Sequence, residues 1–312
     1  MIKNSEILFI YDATMCNPNG DPDDENRPRM DYERERNLVS DVRLKRYIRD
    51  YLQDKGYEIF VAKLEDQTVN ATQRLKKLIE DNKKININKI DKEGIEWLLS
   101  KLIDVRLFGA TMPIKSDESK GSSLTFTGPV QFNWGYSLNK VRLIDSSGIT
   151  SHFGSEEGKT QGAMGKDYRV YYSLIAFHGI ISGNRAKLTN LKEEDIKLLD
   201  EALLKAIPLL ATRSKIGQYP RLYLRIEYND AETALGDFRY HVKPDKLEGL
   251  RAVTDFKLDV TKLKDIFVKN IDKIDKIYYW QDDDLRITSE GEEKRIDDIL
   301  NLKDNLLVKL EY

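Results

Sequence analysis

The order of the strand-like and helix-like segments limits this chain of 312 residues to few folds. The segments predicted from apolar periodicity and end signals are a strand at 6–11, a helix after Ser40, strands after residue 124, a helix at 192–207 and a strand at 221–228. This βαββαβ order is typical of a split βαβ sheet of the ferredoxin or RNA-recognition type. We therefore expect an α+β fold with large insertions.

Two segments depart from this order. Residues 62–105 are very polar, with apolar positions at helical spacing, which predicts a helical insertion. The glycine-rich stretch 146–167 has few apolar anchors and predicts a long β-hairpin.

Charge and cysteine content exclude several classes of protein. The net charge is only -2, so the chain has no general basic field for nucleic acid, and an anion site must be local. The single cysteine, Cys16, excludes an internal disulfide framework and a cysteine-rich zinc site. Apolar runs fall far short of the ~20 residues that span a bilayer. We expect a soluble cytoplasmic protein without a membrane partner.

The stretch CNPNGDPDDENRPRMD at 16–31 predicts a rigid surface loop. Its three prolines restrict the backbone, and Asn19-Gly20 supplies a turn that brings Arg27 and Arg29 to the surface. The spacing of its acids imitates a calcium loop, but Asn26 and Tyr32 stand where an EF-hand requires glycine and glutamate. Two interpretations of the acids Asp12, Asp21, Asp23 and Asp24 stay open: solvated turn residues, or ligands of a divalent ion for phosphodiester cleavage.

The helix after Ser40 is predicted to carry a cationic stripe. Four apolar side chains share the arc that faces the sheet: Leu44, Ile48, Tyr51 and Leu52. Four cations fall on the opposite arc: Arg43, Lys45, Arg46 and Arg49. With the free N–H groups of the helix N-terminus, this stripe suits a phosphate backbone, although a solvated charged face is the alternative. A second cationic cluster, RSKIGQYPR, contributes Arg213 and Lys215.

Six blocks of the sequence carry a family resemblance. In chain order they are NPNGDPDDENRPR, SDVRLKRYIR, DVRLFGA, TGPVQFNWGYS, MGKDYRVYYSLIAFHG and RSKIGQYPRL. With these blocks the chain resembles a CRISPR-associated RAMP protein and, more narrowly, the repeated backbone subunit of type I Cascade, of the I-B branch. The matching blocks end near residue 228, and neither the insertion at 62–100 nor the tail after 230 adds a motif.

The resemblance implies a particular architecture. It implies a single domain over residues 1–312 with a modified RNA-recognition palm of ferredoxin-like type. The further parts that it implies are a helical finger insertion at about 56–105, a thumb hairpin at about 146–167 and a C-terminal extension at about 230–312.

The resemblance also implies a function. The subunit would bind CRISPR RNA without cleaving it, polymerise head-to-tail with its own copies and leave the guide bases free to pair with target DNA. It would act with other Cascade subunits and need no cofactor or metal. The candidate RNA-binding residues are Arg27, Arg29, Ser40, Arg43, Lys45, Arg46, Arg49, Met164, Lys166, Arg213 and Lys215. Met164 would wedge beside a displaced base, and the loop acids would face solvent or the next subunit.

Two enzymatic alternatives remain. Type III backbone subunits, which look similar to this chain, cut target RNA with a loop aspartate, so a metal-dependent ribonuclease is the second hypothesis. A guide-processing endonuclease is disfavoured, because the glycine-rich loops hold no histidine or tyrosine pair for general acid-base chemistry.

Overall fold

A computed structural model describes residues 1–63, 70–80, 85, 90–114, 122–145, 148–150 and 164–312. Within these residues the fold is mixed α/β, as the sequence predicts. The strands are β1 (Ser5–Cys16), β2 (Gly20–Asp21), β3 (Arg27–Pro28), β4 (Met30–Asp31), β5 (Arg36–Val39), β6 (Gly109–Ile114), β7 (Ser122–Thr127), β8 (Val130–Phe132), β9 (Gly135–Ser137), β10 (Gly148–Thr150), β11 (Met164–Lys166), β12 (Val170–Ile181), β13 (Gln218–Tyr228), β14 (Lys243–Pro244), β15 (Leu258–Asp259), β16 (Ile274–Gln281), β17 (Ile287–Ser289), β18 (Glu292–Glu293) and β19 (Leu307–Lys309). The helices are α1 (Asp41–Asp54), α2 (Ala71–Glu80), α3 (Lys92–Lys101), α4 (Ile103–Phe108), α5 (Gly183–Thr189), α6 (Glu193–Leu209), α7 (Thr261–Lys269) and α8 (Ile296–Leu300), with short 3₁₀ turns at Phe238–His241, Val253–Asp255 and Ile271–Lys273.

The main sheet is built around β1. Its strand order is β19-β16-β13-β1-β12-β9-β5-β4, and β8 pairs with β12 off this path. β1 runs antiparallel to both neighbours, with Phe9 opposite Phe177 on one side and Tyr223 on the other. The predicted order of elements is present as β1, α1, β9 with β12, α6 and β13.

Helices α1 and α6 cover one face of this sheet. The arc predicted to face the sheet is confirmed, since Leu44, Ile48, Tyr51 and Leu52 are all buried. They pack in one core cluster with Phe9 and with apolar residues of α6. This packing is that of an amphipathic helix on a sheet, in which burial of the apolar arc supplies the stability.

The C-terminal residues cover the opposite face. Phe238, Phe256 and Phe267 belong to a second core cluster together with Leu8 of β1 and Leu224 of β13. This segment also forms a small sheet of order β14-β15-β17-β18. Both faces of the central strands are therefore buried under protein.

The insertion after α1 has a core of its own. Leu75 of α2, Leu98 of α3 and Met112 of β6 are buried in a third cluster, beside an antiparallel β6–β7 hairpin. The chain enters and leaves this hairpin at Gly109 and Gly128, where a Cβ on Gly128 would lie 2.1 Å from the carbonyl carbon of Phe108. The two chain crossings therefore touch at backbone level.

Three predicted boundaries are wrong. Helix α6 continues through Pro208 to Leu209, because a proline in the last turn removes only one backbone hydrogen bond and Ile207 is buried there. One of the strands predicted after residue 124, KVRLID at 140–145, is reduced to an isolated bridge between Leu143 and Val170. Strand β13 begins before Pro220, which is tolerated because β16 pairs only from Leu222 onward.

The described helices give no candidate for a membrane span, since none is both long and apolar enough to cross a bilayer.

Candidate nucleic-acid interface

The loop at 16–31 is fixed to the start of α1. Asn19 Oδ1 accepts hydrogen bonds from the Ser40 backbone N–H at 2.9 Å and from the Ser40 hydroxyl at 3.0 Å. Asn17 Nδ2 donates to the carbonyl of Asn26 at 2.7 Å, and Asn37 Nδ2 donates to the carbonyl of Arg29 at 2.9 Å. Side-chain amides therefore supplement the backbone hydrogen bonds of this segment, in which three prolines have no N–H to donate.

Ser40 caps α1 as the sequence predicts. Its Oγ accepts from the backbone N–H of Arg43 at 3.3 Å, and Asp41 lies in the first turn. A serine cap satisfies one of the free N–H groups of a helix N-terminus. The positive end of α1 is thus placed directly beside the loop.

The two loop arginines are paired within the loop. Arg29 Nη1 lies 2.9 Å from Asp21 Oδ2. Arg27 Nε lies 3.7 Å from Asp24 Oδ1, and its guanidinium carbon lies 4.6 Å from the ring centroid of Tyr168. Asp24 is exposed as expected, but Asp21 and Asp24 also pair with arginines of their own loop, because opposite charges close in sequence meet within the turn. Contact of the loop acids with a neighbouring subunit stays a prediction.

The cations of α1 are less free than the helical wheel predicts. Arg43 lies with its guanidinium carbon 4.0 Å from the ring centroid of Tyr47. Lys45 pairs with Asp41 at 3.1 Å. Arg46 pairs with Asp50 on its own helix and donates to a carbonyl of the insertion at 2.6 Å.

Arg49 is a clear correction. The stripe was expected to point away from the core, yet Arg49 is buried, with Nε 3.0 Å from Asp104 Oδ2. The cause is the insertion, which folds back over this end of α1. An interaction between segments so far apart cannot be read from the spacing of one helix. The predicted contact of Arg49 with RNA stays a prediction.

Lys215 connects the second cationic cluster, RSKIGQYPR, to the loop at 16–31. Lys215 Nζ donates to the carbonyl of Asn17 at 2.5 Å, which joins the two loops. Burial, together with the nearby positive charge of Arg43, lowers the pKa of Lys215 to about 8. Gly217, with φ of +99°, lets the chain pass the carbonyl of Thr14, which a Cβ would approach to 2.4 Å. Arg213 is exposed and lies 3.0 Å from Asp167.

The predicted hairpin contributes Lys166 to the same surface. Strands β10 and β11 pair antiparallel, with Thr150 opposite Met164. The side chain of Met164 and the residues at 151–163 lie outside the described part of the chain. Lys166 Nζ lies 2.8 Å from the carboxylate of Glu25, and so reaches across to the loop.

Three residues of this surface were missed from sequence. Tyr168 and Arg169 follow Lys166, and Arg169 donates to the carbonyl of Met15 at 2.8 Å. Asn19 was interpreted only as a turn residue. Two basic residues and a tyrosine within the four residues KDYR were a usable signal for a phosphate-binding edge, whereas no local pattern predicts the bond from Ser40 to Asn19.

The acids do not assemble as metal ligands in the described ranges. Asp12 is buried and lies 2.9 Å from Arg221 Nε, and burial raises its pKa to about 6. No group of three or more histidine, cysteine, aspartate or glutamate side chains comes together there as a metal site. The described geometry therefore gives the ribonuclease hypothesis no support.

Comparison with known proteins places the chain in a family. The family model for CRISPR-associated protein Cas7 matches residues 3–261. The CRISPR-associated protein Cas7 of Haloferax volcanii is 36% identical over 313 residues, which cover 95% of this chain and 92% of that protein. Among solved structures, a chain of a CRISPR RNA-guided surveillance complex aligns with a TM-score of 0.49 and 13% identity, over 89% of this chain and 88% of that chain. A chain of the type III-B Cmr-beta bound to cognate target RNA aligns with a TM-score of 0.39 and 12% identity, over 72% and 61%.

The family resemblance predicted from the six sequence blocks is thus confirmed by the family model and by the Haloferax volcanii relative. The family model covers most of the chain, and the relative is more than one third identical over nearly the whole length of both proteins. The protein belongs to the CRISPR-associated Cas7 family.

Proposed function

We propose that this chain is a non-catalytic backbone subunit of a type I CRISPR surveillance complex, of the I-B kind, that binds CRISPR RNA through its phosphates. One observation carries the proposal: cations from four separate segments lie at the same end of the main sheet. The register places the ends of the three central strands together, with Cys16 opposite Val170 and Ala13 opposite Gln218. The loop, the start of α1, the residues after β11 and the turn before β13 all adjoin that end.

The mode of binding follows from the buried sheet. In an ordinary RNA-recognition motif, aromatic residues of an open sheet face stack on bases. Here α1 and α6 cover one face and the C-terminal residues cover the other. We infer that strands β13, β1, β12 and β9, together with helices α1 and α6, form a modified RNA-recognition palm. We also infer that RNA lies along the rim of this palm. Contacts to phosphates position a strand and carry no sequence information, so guide bases stay available for target DNA.

The remaining parts are assigned by the same proposal. The insertion at about 56–105 is the finger, the hairpin at about 146–167 is the thumb that carries Met164, and the residues after about 230 form an extension that closes the palm. Copies of the chain pack head-to-tail along the guide, which gives an open helical filament of heterologous contacts whose length the RNA fixes. Other Cascade subunits complete the complex in the cytoplasm.

The experiment that tests this proposal combines size and nucleic-acid content. The purified chain is run on size-exclusion chromatography with light scattering, and co-purifying RNA is extracted and sized. We expect a large particle that contains RNA of uniform length. This RNA should stay uncleaved when magnesium is added. A small RNA-free species that cuts added single-stranded RNA in magnesium would replace the proposal with the ribonuclease.

A further inference from the structure

Three side chains surround the carboxylate of Glu25. Lys166 and Tyr168 lie far from it in sequence, and Arg27 lies at the end of the same turn. Lys166 Nζ donates to Oε1 at 2.9 Å and to Oε2 at 2.8 Å. The hydroxyl of Tyr168 donates to Oε2 at 2.7 Å, and Arg27 Nη2 lies 3.8 Å from the same oxygen. Arg27 also donates to the Tyr168 hydroxyl at 3.2 Å, so the three donors form one connected group. They converge on a single anion.

The loop backbone adopts an unfavourable conformation at Glu25, and this conformation brings the Glu25 side chain to Lys166 and Tyr168. Glu25 and Asn26 have φ of +46° and +60°, so two successive residues other than glycine adopt the left-handed region. Asparagine tolerates that region, but glutamate has no special preference for it. Bonds from the Asn26 and Arg27 N–H groups to the carbonyls of Asp21 and Asp24, at 2.8 Å each, hold the turn in this shape. The shape directs the Glu25 side chain onto β11.

The carboxylate is firmly ionised yet easily displaced. Its hydrogen bond from Lys166 lowers the pKa of Glu25, and the same bond raises the pKa of Lys166. Both side chains are about half exposed, at 52% and 56%, so water and other anions can reach the pair. Exposed ion pairs contribute little net free energy, so a competing anion needs little binding free energy to displace the Glu25 carboxylate from Lys166.

We propose that Lys166, Tyr168 and Arg27 form a binding site for one RNA phosphate, and that Glu25 occupies this site in the free subunit as an internal substitute for that phosphate. A carboxylate and a phosphodiester each present two oxygens that share one negative charge, so the same donors serve both. RNA must displace Glu25 to bind, which penalises short or poorly placed strands that cannot compensate elsewhere. The inference rests on the proposed function, because it assigns a ligand to part of the same surface.

The test compares two variants of equal charge. Glu25→Gln removes the substitute anion, whereas Glu33→Gln removes the same charge from an exposed side chain that makes no ion pair or hydrogen bond with the described residues. Binding of a labelled single-stranded RNA is measured by fluorescence anisotropy over a series of salt concentrations. We expect Glu25→Gln to bind about three-fold more tightly at low salt, the size of one exposed ion pair. Its log-log salt slope should stay close to that of the wild type, since the same phosphate is neutralised in both proteins once Glu25 has been displaced.

Lys166→Gln supplies the second arm. In the double variant Glu25→Gln with Lys166→Gln, the gain should disappear, because the site has lost its main donor. Equal behaviour of Glu25→Gln and Glu33→Gln, in a wild type that does bind RNA, would overturn this inference alone. A wild type that binds no RNA at any salt concentration would instead overturn the proposed function, and this inference with it.

Discussion

The guanidinium of Arg49 on α1 and the carboxylate of Asp104 on α4 form an ion pair that is withdrawn from solvent, with Nε 3.0 Å from Oδ2. The same carboxylate accepts the backbone N–H groups of Phe60 and Val61, at 2.8 Å and 3.1 Å. One acid thus ties α1 to both the beginning and the end of the insertion. A residue selected from sequence as a phosphate ligand is a structural link between two cores.

Loss of this link should destabilise the protein. We expect Arg49→Ala to lower the free energy of unfolding by about 3 kcal/mol, because Asp104 would be left buried without its charged partner. The control is Arg46→Ala, which breaks a partly exposed pair with Asp50 and an exposed hydrogen bond to the Val61 carbonyl, and should cost about 1 kcal/mol. Urea unfolding followed by tryptophan fluorescence measures both. Similar losses in the two variants would mean that the Arg49 pair adds no stability.

Replacement of both loop arginines should weaken RNA binding in a salt-dependent way. Arg27→Ala with Arg29→Ala removes two charges beside α1, and each phosphate contact contributes about 0.7 to the log-log slope on a single strand. We expect a slope shallower by about 1.4, together with a lower affinity, in a salt titration followed by anisotropy. Unchanged binding across the titration would remove the loop from the interface.

Binding should also weaken at alkaline pH because of Lys215. Its pKa of about 8 means that the free protein loses this charge as pH rises through that value, while a phosphate binds only the charged form. We expect the affinity for RNA to fall about ten-fold between pH 7 and pH 9, the worth of one charged hydrogen bond. Lys215→Gln should bind weakly at both pH values, and its affinity should not change with pH. A wild-type affinity that is constant over this range would place Lys215 away from RNA.

Asp12 should make the stability of the fold depend on pH in the opposite sense to an ordinary surface acid. Burial raises its pKa from 3.8 to about 6, so the folded state holds a proton that the unfolded state has lost. The resulting stability is complete below about pH 4 and is lost as pH rises through 6, a change of about 3 kcal/mol. Asp12→Asn should remove this component, which the difference in unfolding free energy between the two proteins at pH 4 and pH 7 measures. A constant difference would show that Asp12 is ionised throughout.

The junction of the insertion should not accept a side chain. We expect Gly128→Ala to destabilise the protein strongly, by about 3 kcal/mol or more, because its Cβ would overlap the backbone of Phe108 and both chain crossings would have to move. Gly148→Ala is the matched control, since a Cβ there would meet no atom within 4 Å among the described residues beyond its chain neighbours. The melting temperatures of the two variants measure this loss of stability. A melting temperature of Gly128→Ala equal to that of the wild type would show that the two chain crossings can move apart to admit a Cβ.

Local features of the fold and the site were predictable, and distant pairings were not. The cap at Ser40 and the buried arc of α1 depend on spacing within one helix, which sequence displays directly. The order of strands and helices follows from the same short-range periodicity. The pair of Arg49 with Asp104 joins residues 55 apart, and that of Glu25 with Lys166 joins residues 141 apart. Such contacts depend on how elements pack, which no window of sequence contains.

The packing of the C-terminal residues on the second face of the main sheet was also not predicted, because it too depends on contacts between distant segments. The tail after residue 230 has no motif, and its apolar residues are scattered among short strands and 3₁₀ turns. Only the assembled fold shows that Phe238, Phe256 and Phe267 meet on one surface. The pair of Glu25 with Lys166 was likewise recognised in part, because Lys166 is a candidate RNA-binding residue from a matching block, whereas Glu25 was not singled out among the loop acids.

The central position of β1 has a consequence for how the chain is made. Strand Ser5–Cys16 is synthesised first, yet both strands that pair with it, Val170–Ile181 and Gln218–Tyr228, come much later. At ordinary rates of translation the wait is roughly ten seconds or more, during which an apolar strand has both edges unpaired. Pairing over such sequence separations is slow and exposes the nascent chain to aggregation. The sheet therefore closes only after most of the polypeptide has left the ribosome, and fragments that end before β13 should not fold.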